Sequence, residues 1–135
     1  MNTTPEQYQK IHLLSDGVLY REALAFIKEQ GTVDGQKQMT SLTSYTQSWQ
    51  DLIDFVEHQQ ERDWPGKRAF YKQFYTALRD YLETLRKRVA EEWFLPGNEF
   101  NKTEKREWVD HFSILAAREF TQHLAAENLY REKTK

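Results

Sequence analysis

Four cations, Arg68, Lys72, Arg79 and Arg86, recur through the stretch "FYKQFYTALRDYLETLRKRV" and its approach, with Lys87 beside the last of them. On a helix at about 100° per residue the four fall within a sector of about 40° and make a stripe about 27 Å long. Planar guanidinium groups pair well with phosphate oxygens, so such a stripe is the footprint of a helix lying along a nucleic-acid backbone. Tyr75, on the stripe's apolar side, is placed to stack on a base. The predicted nucleic-acid-binding set is therefore Arg68, Lys72, Tyr75, Arg79, Arg86 and Lys87. From Arg62 to Arg88 the chain has eight basic residues against three acidic ones, or +5, which leaves −7 for the rest of a chain whose net charge is −2.

The same residues admit a structural role. Arginines flanking an apolar seam lay their stems over it and pair with acids of a neighbouring helix, and Asp51, Asp54, Glu57 and Glu61 stand ready in the preceding segment. Charge pattern alone leaves both roles open.

The four histidines offer a second kind of chemistry. Asp54 and His58, Glu107 and His111, and Glu119 and His123 are each four residues apart, so each acid shares a helical turn with a histidine. Di-metal sites in helical bundles use a glutamate three residues before a histidine, a spacing this chain lacks. No Gly-x-Ser-x-Gly elbow, Walker loop or glycine-rich dinucleotide turn is present. With no cysteine, the chain has no disulfide, thiolate zinc site or cysteine nucleophile. The expectation is a non-catalytic protein without metal or other cofactor.

These residues must be carried by helices. The 135 residues suit one domain, residues 1–135, and 39% hydrophobic with 14% aromatic content supplies a core. No apolar run approaches the roughly 18 residues that span a bilayer, and "MNTTPEQYQK" lacks the basic start and apolar stretch of a signal peptide, so no membrane association and a cytoplasmic location are expected. Thr4-Pro5-Glu6-Gln7 predicts a capped helix start. Asp16-Gly17, Asp34-Gly35, Pro65-Gly66 and Pro96-Gly97 mark breaks or bends, the first either interrupting one helix or starting another that ends near Gly31.

Met39, Leu42, Thr46, Trp49, Ile53 and Val56 form a three-four seam of a helix ending at Pro65. Tyr71, Phe74, Leu78, Tyr81, Leu85 and Val89 form the next, ending at Pro96. Asn101 with Glu104 caps a last helix whose apolar face is Trp108, Phe112, Leu115, Ala116, Phe120 and Leu124. Ala116, Ala117, Ala125 and Ala126 permit close helix approach inside the bundle or between subunits. With strand signals nearly absent, the fold is an all-α bundle of four to five antiparallel helices.

"SWQDLIDFVEHQQERDWPGKRAFYKQFYTALRDYL" followed by "LAAREFTQHLAAENLY" resembles the small all-helical subunits of type III CRISPR effector complexes, over roughly residues 40–130. That resemblance implies an antiviral-defence role as a non-catalytic subunit. It would stack with copies of itself as a homo-oligomer and line guide and target RNA, while larger effector subunits hold the active sites. It also implies phosphate contacts for the basic stripe. The alternative expectation is a helical protein–protein interaction module, or homodimeric adaptor, whose stripe pairs with acidic protein surface.

Overall fold

A computed structural model describes residues 3–34, 41, 42, 44, 47–94 and 100–134. The architecture is an all-α helical bundle, and among the described residues there is no strand. Helix α1 (Pro5–Leu14) starts as its sequence dictates. The Thr4 side chain accepts from the Gln7 backbone N–H while the Gln7 side chain accepts from the Thr4 backbone N–H, with Pro5 in the first turn.

Asp16-Gly17 does not end this helix. Ser15–Leu19 form one π-helical turn, and the chain continues directly into α2 (Tyr20–Gln30). Gly17 sits inside that turn without a left-handed backbone, so the break anticipated there is only a widening of the helix. The true stop is Gly31, whose φ of 85° is open to glycine and strained for other residues.

Helix α3 (Trp49–Glu61) is capped by Ser48, whose side chain accepts from the Asp51 N–H. It buries Leu52, Val56 and Gln59, leaving Trp49 and Ile53 only half-buried, so its inner face is rotated from the predicted seam. Leu42 of that seam is fully buried, whereas Met39 and Thr46 lie outside the described residues. Arg62 already has extended backbone, so the helix ends before Pro65 and not at it. A short 3₁₀ turn (Gly66–Arg68), with Gly66 at φ 59°, leads to α4 (Tyr71–Glu91).

Helix α4 buries Tyr71, Phe74, Leu78, Leu85 and Val89 of its predicted seam, adds Tyr75 and Leu82, and leaves Tyr81 half-buried. The predicted stop at Pro96-Gly97 lies outside the described residues. Helix α5 (Lys102–Lys133) opens with the Asn101–Glu104 capping box anticipated for it. Trp108, Phe112, Ala116, Phe120 and Leu124 are buried as expected, and Leu115 half-buried.

Pairings between helices set their directions. Arg79 meets Glu57, and Trp64 meets Tyr71 and Tyr75, so α3 and α4 form an antiparallel hairpin. Tyr81 stacks on Phe120 while Arg86 meets Asp110, which makes α4 and α5 antiparallel. Thr3 meets His111 and Ser15 meets His123, an offset of 108 residues each time, so α1 with its π turn runs parallel to α5.

The core gathers around Phe26, whose ring lies edge-on to Phe74, Tyr81 and Phe120 at centroid distances of 5.3, 6.4 and 6.0 Å. A buried clamp closes the segment after α2. The Asn128 amide donates to Val33 O and accepts from Val33 N, both at 2.9 Å, satisfying a backbone unit that has left the helix.

Candidate nucleic-acid interface

The stripe is not one helical line. Arg68 lies in the 3₁₀ turn before α4, so only Lys72, Arg79 and Arg86, spaced seven residues apart, share the helix. Each arginine is engaged by a carboxylate from a different part of the fold. Arg68 Nε lies 3.3 Å from Asp34, which follows α2. Arg79 lies 3.7 Å from Glu57 of α3 and 3.3 Å from Glu83 one turn on in α4. Arg86 Nε donates to one oxygen of Asp110 in α5 at 2.8 Å, and Nη2 lies 2.7 Å from the same oxygen.

Of the α3 acids offered as partners by the sequence, only Glu57 fills that role among these pairs. All three arginines remain a third or more exposed, so their ion pairs are the solvent-screened kind, worth about 0–1 kcal/mol each. Lys72 and Lys87 are exposed and make no ion pair among the described residues.

Tyr75 requires a correction. It is fully buried and stacks on Trp64 at 6.1 Å, so its ring is core and presents no face to a base. Position 75 falls one residue beyond the seam at Phe74, and α4 buries a wider arc than one seam because α2, α3 and α5 all pack against it.

Two further charged networks touch α4. The Tyr71 hydroxyl donates to the Asp34 carboxylate and accepts from the Asp34 N–H at 2.6 Å. The Tyr71 bond, aided by the Arg68 charge, holds the Asp34 carboxyl below its ordinary value, while burial and Asp34 push the Tyr71 phenol up to about 12. Near the other end of α4, Glu22 accepts from the Tyr81 hydroxyl at 2.6 Å and from Arg88 at 2.8 and 3.0 Å. Burial and that carboxylate raise the Tyr81 phenol. Arg88 also lies 4.5 Å from the Trp93 ring centroid, which makes it part of the packing.

The histidine pairs resolve differently from their sequence spacing. His111 Nε2 is hydrogen-bonded to Thr3 Oγ1 at 3.1 Å and His123 Nε2 to Ser15 Oγ at 2.8 Å, so both tie α5 to the first helix. His123 also meets the edge of Tyr20. Among the described residues no group of three or more potential ligands is gathered as for a metal ion, and no helix is long and apolar enough to cross a membrane.

One basic cluster joins Arg86 to α5 cations absent from the set predicted by sequence. Arg86 and Ala90 of α4 and Lys102, Lys105, Arg106 and Val109 of α5 line a cleft of about 230 Å³. The α5 residues recur at i, i+3, i+4 and i+7, a legible signal that they share one face. Their juxtaposition with Arg86 depends on the α4–α5 packing. No family model, curated protein or solved structure matches the chain.

Proposed function

We propose that this chain is a non-catalytic, RNA-associated subunit of a ribonucleoprotein assembly. The observation that carries this reading is the convergence of cations from two helices, Arg86 with Lys102, Lys105 and Arg106, at one end of a bundle whose net charge is −2. Segregation of that kind suits a phosphate backbone, because it concentrates attraction where the overall charge would repel. The likeness of its middle and last helices to type III CRISPR small subunits supports the same reading, with larger effector subunits as protein partners and guide or target RNA as ligand. Binding passes through phosphates in this reading, with no stacking on Tyr75, whose ring is buried.

Fluorescence anisotropy with single-stranded RNAs of unrelated sequence tests it. The protein should bind all of them, with affinity falling steeply as salt rises. Combined Lys87→Gln, Lys102→Gln and Lys105→Gln changes should lower the salt slope by about 0.7 for each phosphate that a lysine no longer neutralises. Absence of salt-sensitive binding to any of the RNAs overturns the proposal.

Exposed large apolar side chains favour a second reading, a helical interaction module without nucleic acid. Tyr8, Leu13 and Tyr130 are 59%, 66% and 63% exposed. Concentration-dependent dimerisation that resists salt, together with no RNA binding, would put this reading in place of the first.

A further inference from the structure

We propose that the cleft between α4 and the first turns of α5 is a phosphate-group site, and that Asp110 occupies the ligand's place on Arg86 until a phosphate displaces it. The RNA source of that phosphate rests on the proposed RNA-associated function, whereas the phosphate chemistry does not.

The lining supplies the argument. Lys102, Lys105, Arg106 and Arg86 surround a floor made by Ala90 and Val109, side chains too short to fill the space. The acids of the same stretch of α5 are directed elsewhere. Glu104 folds back onto the Asn101 N–H in the capping box, and Glu107 stands about 160° around the helix from Val109. Lys102 and Arg106 make no ion pair among the described residues, and the Lys105 amine rests 4.8 Å from the Phe94 ring centroid. Four cations thus line the cleft, and among the described ion pairs the one carboxylate that meets any of them is Asp110, through Arg86.

Asp110 engages Arg86 through a single oxygen, where a phosphate could use two. Arg86 Nε donates to the Asp110 Oδ1 at 2.8 Å, and Nη2 of the same guanidinium fork lies 2.7 Å from that oxygen. The pair is half-exposed, with 34% and 44% of the two side chains open to solvent, and so is weakly held. A phosphate group offers that fork two oxygens and meets three further cations in the same cleft. The carboxylate thus keeps Arg86 oriented and competes with the ligand for it.

Pyrophosphate and a single-stranded RNA are titrated against the full chain, its Asp110→Asn and Glu107→Gln variants, and Asp110→Asn combined with Arg86→Gln. Asp110→Asn should tighten pyrophosphate binding about fivefold, the equilibrium equivalent of an exposed ion pair at its upper range. Glu107→Gln removes the same charge one turn before Asp110 but about 160° around the helix from Val109, and should change it less than about twofold. In the Arg86→Gln background the Asp110 gain should vanish.

Equal effects of Asp110→Asn and Glu107→Gln, or a gain that persists without Arg86, overturn the site and leave the RNA reading standing. Pyrophosphate binding with the Asp110 gain but no RNA binding keeps the site and removes the RNA reading. The parent protein gives a test independent of variant folding. Pyrophosphate should shift the NMR resonance of Arg86 Nε–H, assigned with Arg86→Lys, and leave that of Arg79 in place. An unmoved Arg86 resonance rejects the site.

Discussion

Tyr75 lies on Trp64 with ring planes 10° from parallel, and the two rings are 0% and 8% exposed. The pair fastens the end of the α3–α4 hairpin, where Tyr71 adds an edge-on approach to the same indole at 5.1 Å. The aromatic residue beside the basic stripe is thus a packing element, and its removal has a packing cost. Tyr75→Ala should destabilise the fold by about 3–5 kcal/mol and lower the melting temperature by on the order of 10 °C or more. RNA affinity of the folded protein should be unchanged. A stable Tyr75→Ala variant with weakened RNA binding would show that the ring touches a base.

Asn128 stands in for a backbone strand partner to Val33, and no other residue shares that task in the bonds described. Asn128→Ala leaves a buried N–H and a buried C=O of Val33 unpaired, at a cost of about 1–3 kcal/mol for each group that water cannot reach. Hydrogen exchange should show the Val33 amide losing protection well before the core of α4 does. Unaltered protection at Val33 would mean that the clamp contributes nothing.

His111 carries the acid dependence of the α1–α5 junction. Burial, with the charge of Arg118 adding to it, lowers its affinity for a proton below the ordinary value of 6.5. The unfolded chain then takes up a proton at about 6.5 that the folded chain resists. Stabilisation from this group is complete above that pH and is lost as pH falls through it toward the lower folded value. Melting temperatures measured from pH 7.5 to 5 should decline, and His111→Asn should flatten the decline. An identical profile for the variant would assign the acid loss to other groups.

Tyr71 and Asp34 act at opposite ends of the pH scale. The phenol is held protonated up to about 12 against an ordinary 10.0, so its contribution is present below pH 10 and disappears as pH rises from 10 through 12. The Asp34 carboxyl is held below 3.8, so its contribution is present above that value and is lost as pH falls through the lower folded one. Tyr71→Phe removes both halves of this coupling and should reduce the pH dependence of stability at each extreme. Denaturant melts at pH 3, 7 and 11 would reveal it, and equal pH dependence in parent and variant would refute the coupling.

Features that depend on near neighbours along the chain were legible before any packing was known. Thr4-Pro5-Glu6-Gln7 and Asn101 with Glu104 set two helix starts, because a capping box is closed within four residues. The seam from Tyr71 to Val89 set a buried face because helical periodicity repeats without reference to the rest of the fold. Features that depend on which helix meets which were not legible there. Whether Asp16-Gly17 breaks or merely widens a helix depends on the α5 surface against which Ser15 is held. Tyr75 is core because several helices cover α4, and periodicity cannot count its neighbours. The partners of Arg68, Arg79 and Arg86 come from residues 34, 57, 83 and 110, three of them far away in sequence, so nothing local in the basic stretch identifies them. The cationic cleft has the same origin. Arg86 and Lys102 to Arg106 meet only because α4 and α5 pack antiparallel, and charge convergence is a property of that packing and not of either helix alone.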